Sequence, residues 1–161
     1  MEKLIKSIHA DWAAAKAKAE TRCRRAGKIE LADKLAACDM FLGIETLPEL
    51  VKLIFSPRGI EFMTAFDFPC IETFRKFKPY NPELHGVYID SGNIRLSEAR
   101  EVFLIGDTTA ELKYRQTARN RVYLMCGAKA TIIASGYSVI KTESDRKSQI
   151  SNLIQDHAIV L

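Results

Sequence analysis

Three histidines and four cysteines are the residues of this 161-residue chain best suited to move a proton, hold a metal or attack an electrophile. His9, His85 and His157 lie far apart, and none has a partner at HxxxH or HxxE spacing, the i,i+3 or i,i+4 separation that puts two ligands on one helix face. Cys23, Cys38, Cys70 and Cys126 include no CxxC pair, which speaks for free thiols in a reducing compartment over a disulfide scaffold or zinc knuckle. Cys70 follows Pro69 near a predicted helix start, where a helix dipole lowers a thiol pKa. The neighbouring Phe66, Phe68, Ile71 and Phe74 favour instead a small buried core residue. Cys126, just before Gly127, reads as a turn position.

Asp90 and Asp107 sit in the turns Asp90-Ser91-Gly92 and Gly106-Asp107. Paired carboxylates can do general acid and base work, but an Asp in such a turn ordinarily accepts bonds from nearby backbone N–H groups. No GxGxxG follows a strand pattern, and GxxxxGK[ST] is absent. These residues predict no catalytic set, no metal site and no cofactor, and they identify no small-molecule substrate.

Charge offers a second kind of chemistry. The formal net charge is +4, and residues 1–35 carry nine Lys/Arg against five acids, so the whole excess lies there. Arg22, Arg24, Arg25 and Lys28 cluster near Gly27, and Arg115, Arg119 and Arg121 lie in KYRQTARNR, which has no acid. Such clusters can neutralise nucleic-acid phosphates, and cations near a helix C-terminus are also favoured by the helix dipole without any ligand. The 113–121 stretch reads as an insertion in a solvated loop.

The elements that position these residues divide near residue 85. Before it, apolar residues recur with helical spacing. Leu4, Ile8, Trp12, Ala15, Ala19 and Cys23 form one stripe of a long first helix that stops at Gly27. A second helix is predicted over Glu30–Met40 with Leu31, Leu35 and Cys38 inward, giving a basic helical hairpin over 1–44. Thr46, Pro48 and Glu49 spell a capping box, and Ser56-Pro57 repeats the cap-then-proline signal for a helix ended by Asp67–Pro69. Residues 45–84 are thus expected to form a helical cap.

From residue 85 the chain repeats. At an offset of 20, Val102, Phe103, Leu104 and Ile105 fall on Val122, Tyr123, Leu124 and Met125, while Ala110 and Leu112 fall on Ala130 and Ile132. Val87-Tyr88-Ile89 is matched to Val102-Phe103-Leu104 at 15, and Ile94 and Leu96 to Ala110 and Leu112 at 16. A fourth copy sets Ile150 18 residues after Ile132, and Ala158–Leu161 is its last strand. Strand pairs this short bury an apolar side only by stacking, so the reading is an α+β chain. Its N-terminal helical region caps a short, single-stranded, right-handed β-solenoid of about four coils over 85–161. An antiparallel meander or sandwich is the alternative.

VFLI and VYLM are apolar on both faces, and such strands are covered on both. The expected outward row is Tyr88, Phe103 and Tyr123, with Ile105 and Met125 beside it. Its cover is either the N-terminal hairpin, through Trp12 and Leu31, or another chain. Ile159 and Leu161 join these five as interface candidates, because the HAIVL strand carries no polar plug.

Two stretches, SPRGIEFMTAFDFPCIETFRKF (Ser56–Phe77) and GVYIDSGNIRL with FLIGDTTAEL and LMCGAKATIIASG, together resemble uncharacterised helical-cap plus small β-solenoid proteins. Those proteins are encoded by phages and mobile elements of anaerobic gut bacteria. The resemblance covers about residues 45–161, excludes the basic hairpin and carries over no activity. It implies a cytoplasmic accessory protein of a mobile element. The expected function is a non-enzymatic protein-interaction or assembly module, a homo-oligomer or one with a protein partner, acting away from membranes. The alternatives are nucleic-acid binding through the basic hairpin and a carbohydrate-active solenoid enzyme.

Overall fold

A computed structural model describes residues 1–66 and 68–161, and the chain forms two compact units, Met1–Lys76 and Phe77–Leu161. The α-helices all lie in the first unit, and residues 77–84 go with the strands. Among the described residues no helix is long and apolar enough to cross a membrane.

The first unit holds α1 (Glu2–Arg25), α2 (Ile29–Ala36), α3 (Leu47–Ile54), α4 (Pro57–Phe66) and α5 (Ile71–Arg75). Helix α1 buries Ile5, Ile8, Trp12, Ala19 and Cys23, so Ile5 rather than Leu4 opens the stripe. It ends in a Schellman motif. Gly27 takes φ +72°, its N–H bonds Arg24 O, and the N–H of Lys28 bonds Cys23 O. Helix α2 turns Ala32 and Leu35 inward and leaves Leu31 42 % exposed. Ala19, Cys23, Ala32 and Leu35 form a small-residue seam, with Phe62 and Phe66 packed against it. The predicted capping box is present: Thr46 Oγ1 accepts from the N–H of Glu49, and Glu49 Oε2 accepts from the N–H of Thr46. The backbone N–H and then the hydroxyl of Thr46, both donating to Glu49 Oε2, hold that carboxyl below the usual carboxylate range. Ser56 Oγ accepts from the N–H of Gly59 at the start of α4. Asp67, the first residue of the predicted Asp67–Pro69 break, lies outside the described residues.

The second unit opens with two 3₁₀ turns, Lys78–Tyr80 and Pro82–His85, and continues as nine strands. They are β1 (Val87–Ile89), β2 (Gly92–Ser97), β3 (Glu101–Ile105), β4 (Thr108–Tyr114), β5 (Arg119–Met125), β6 (Lys129–Ala134), β7 (Val139–Ser144), β8 (Gln149–Ile154) and β9 (Ile159–Val160). Odd strands form one sheet in the order β1-β3-β5-β7-β9, even strands another in the order β2-β4-β6-β8, and every pairing is parallel. This is a β-solenoid of about four coils, and the antiparallel alternative is excluded.

Pairing sets Val102 on Val122, Leu104 on Leu124, Ala110 on Ala130 and Leu112 on Ile132, the predicted 20-residue rows. These side chains, with Tyr114, Ala134, Ile140 and Ala158, fill the space between the sheets. Tyr114 is 1 % exposed and donates its hydroxyl to Ala99 O at 3.0 Å. Burial pushes that hydroxyl's pKa well up.

Three details of the expected register are corrected. Val87 pairs with Phe103, not Val102, so Tyr88 lies in the inward row of Leu104 and Leu124, and Val87 and Ile89 face outward. A one-residue slip exchanges the faces of a whole strand, and the match to VFL by residue type hid it. Ile150 pairs with Ala130 at offset 20, which puts Asn152 on Ile132. Finally, 113–121 holds no insertion. A four-residue loop, 115–118, recurs as 135–138 and 155–158, and the first coil, at offset 16, is the short one.

Two adjacent isoleucines test this register. Ile132 is fully buried in an inward row and Ile133 is half-buried on the outer face. Ile132→Ala is expected to cost about 2–5 kcal/mol in urea unfolding, and Ile133→Ala under about 1 kcal/mol. Equal losses would contradict the assignment of faces.

Candidate interaction surface

The turns between strands hold five carboxylates, Asp90, Glu98, Asp107, Asp145 and Asp156. Asp90, at φ +46°, accepts through Oδ1 from the N–H of Asp107 at 2.9 Å. Glu98 accepts from Arg115 and Gln116, Asp145 from Cys126 at 2.7 Å, and Asp156 from Gly136. Each bond ties one coil's turn to the next, because parallel stacking leaves turn N–H groups pointing along the solenoid axis. Asp90 is also not the equivalent of Asp107: on the 16-residue offset it matches Gly106, and both take left-handed φ. Cys126 shares that site at φ +59°, the predicted turn position.

The histidines remain apart. His9 packs against Trp12 and Phe41 at ring separations of 5.8 and 5.4 Å, His85 ends the second 3₁₀ turn, and His157 stacks on Tyr137 at 4.9 Å. Among the described residues no group of three His, Cys, Asp or Glu side chains could hold a metal. Cys70 is exposed rather than packed among phenylalanines, and its sulfur lies 3.4 Å from Thr73 Oγ1. An open groove of about 560 Å³ beside it is lined by Lys18, Arg22, Lys76, Asp11 and Glu72, so it carries both signs of charge.

The basic residues are partly committed within their own unit. Arg24 pairs with Glu20 at 3.0 Å and Asp33 at 2.8 Å. Arg22 donates to Ala65 O and lies over the Phe66 ring, while Arg25 and Lys28 are exposed. In the solenoid Arg121 faces Glu101 at 3.7 Å, and Arg115 and Arg119 are exposed.

The interface candidates separate into two groups. Phe103, Ile105, Tyr123 and Met125 lie on the outer face of the odd-strand sheet, as expected, but each is buried within the single chain, at 9 % exposure or less. Phe103 and Tyr123 stack with ring centroids 5.0 Å apart. Tyr88 drops out of this row because it points inward. The apolar character of the face ends at β7, where Glu143 follows Tyr123, and Lys141 follows Arg121 and pairs with Glu143. Ile159 and Leu161, the second group, are 49 % and 68 % exposed.

Those two belong to a larger surface at the end of the solenoid. Strand β8 pairs only with β6 and β9 only with β7, so both have an open edge. Leu153 and Ile154 on β8 are 58 % and 47 % exposed. The N–H groups of Gln149 and Gln155 bond Ala128 O and Ala134 O of the previous coil. By the alternation of a strand, the backbone groups of Ile150, Asn152 and Ile154 face the open edge. Leu153 and Ile154 were missed in the sequence because the fourth copy was set at 18 residues. The offset of 20 places them on Ile133 and Ala134. No protein-family model matches the chain, and neither does a curated protein or a solved structure.

The turn carboxylates are therefore expected to act in stability. Asp145→Ala removes the acceptor of the N–H groups of Cys126, Lys147 and Ser148. It should cost about 1–3 kcal/mol and speed amide hydrogen exchange at Cys126 first. Unchanged exchange there would remove the clamp role.

Proposed function

We propose that this chain is a non-enzymatic interaction and assembly module that associates with itself through the open end of its solenoid. The observation that carries the reading is the coincidence, on the last coil, of unpaired strand edges with exposed Leu153, Ile154, Ile159 and Leu161. Unpaired N–H and C=O groups in a row are a template for another strand, and exposed aliphatics beside them supply the hydrophobic gain that strand pairing alone lacks. Protective devices are few on this edge: it carries no proline and no inward-pointing charge. Commitment of the turn carboxylates to backbone N–H groups supports a role outside catalysis. The resemblance of Ser56–Phe77 and the repeats to mobile-element proteins supports placing the module among such accessory proteins.

Light scattering across micromolar concentrations is expected to give a mass above that of one chain. Ile154→Lys with Ile159→Lys should return it to a single chain while circular dichroism stays unchanged. A wild-type chain that stays monomeric up to about 100 μM, a concentration where even weak contacts near 10 μM would be filled, overturns the proposal.

A further inference from the structure

Resting on that reading, we infer that the partner at the open end is a second copy, joined antiparallel through β8 about a twofold axis at Asn152. The backbone sets the choice of register. Ile150, Asn152 and Ile154 turn their N–H and C=O groups to the free edge, and in an antiparallel ladder directly opposed residues must both do so. Placing Asn152 on the axis opposes it to its own copy and sets Ile150 of each chain against Ile154 of the other. All three stand in inward rows, below Ala130, Ile132 and Ala134. The joint then continues the core from one solenoid into the next, and the two Asn152 amides meet each other rather than an isoleucine. A shift by two residues along β8 would oppose Ile150 to Asn152 and bury an amide against an aliphatic chain.

Charge supports the same arrangement. The turn before β8 carries Arg146 and Lys147, and its one acid, Asp145, is bonded to the N–H groups of Cys126, Lys147 and Ser148. The turn after β8 carries Asp156, which accepts one bond from the N–H of Gly136, and no Lys or Arg. An antiparallel copy brings the basic turn of each chain beside Asp156 of the other, at both ends of the ladder. A head-to-tail continuation would leave an open β8 edge on the last copy at every step and grow into filaments, whereas the twofold joint pairs the β8 edges of both copies with each other.

The test is disulfide trapping of the full chain in a Cys70→Ser background, which removes the exposed native thiol. Opposed residues of a hydrogen-bonded antiparallel pair have Cα atoms about 5.5 Å apart, within the range of about 4.4–6.8 Å that a disulfide spans. Asn152→Cys should therefore crosslink two chains on mild oxidation, with the bond mapped by mass spectrometry to the substituted position in both. Ser151→Cys, whose opposite number is Leu153, should crosslink at least about tenfold more slowly. Light scattering on the unsubstituted chain should show mass growth stopping at two copies. A dimer in which Asn152→Cys fails to crosslink, or crosslinks no faster than Ser151→Cys, overturns this joint and leaves self-association standing. Filaments or larger oligomers overturn the twofold arrangement in the same way. A monomer at every concentration removes both.

Discussion

Like-on-like stacking at a constant offset is the constraint on which the solenoid depends. Each strand pair is too short to bury its own apolar side, so its core exists only because the next coil presents the same residue type at the same place. Once Val122 lies on Val102 and Leu124 on Leu104, the strand alternation assigns every other side chain to a face. The rows Ala110–Ala130 and Leu112–Ile132 then follow without further choice. Where the offset is 16 rather than 20, the corner between β2 and β3 is shorter, by one residue in the loop and three at the strand ends, while both sheets keep their pairing.

The turns answer a problem that this stacking creates. A parallel coil must reverse at each corner, and several corners use left-handed residues: Asp90, Glu98, Cys126 and Asp156 beside the glycines. The same corners expose N–H groups with no ladder partner. The carboxylates of Asp90, Glu98, Asp145 and Asp156 accept several of them across neighbouring coils and so help hold the coils in register.

Changing composition along the rows gives the solenoid its polarity. Inward positions are mostly apolar through β6, then Thr142 follows Val122, Ser144 follows Leu124 and Asn152 follows Ile132. The last coil thus mixes polar inward residues with Ile150, Ile154 and Val160. A fully apolar final coil would pair with any apolar surface, whereas a single amide between two isoleucines favours one register over its neighbours. That argument links the stacking rule to the proposed joint, since the same rows that build the core run out to the edge.

Composition and spacing alone determined the change from helices to strands near residue 85, the capping box at Thr46 and the 20-residue rows. These are local or strictly periodic signals, and each residue type has few ways to satisfy them. The tertiary structure decided what depended on distant partners. It moved Tyr88 inward, because three apolar residues in succession do not declare their phase and only pairing with β3 does. Cys70 proved to be exposed, although its sequence neighbours are aromatic, since adjacency in the chain does not make adjacency in a core. Phe103, Ile105, Tyr123 and Met125 are buried, while Leu153, Ile154, Ile159 and Leu161 stand in solvent. Residues of similar hydrophobicity end up on opposite sides of that boundary because burial is set by contacts between segments distant in the chain, and no window of sequence contains both.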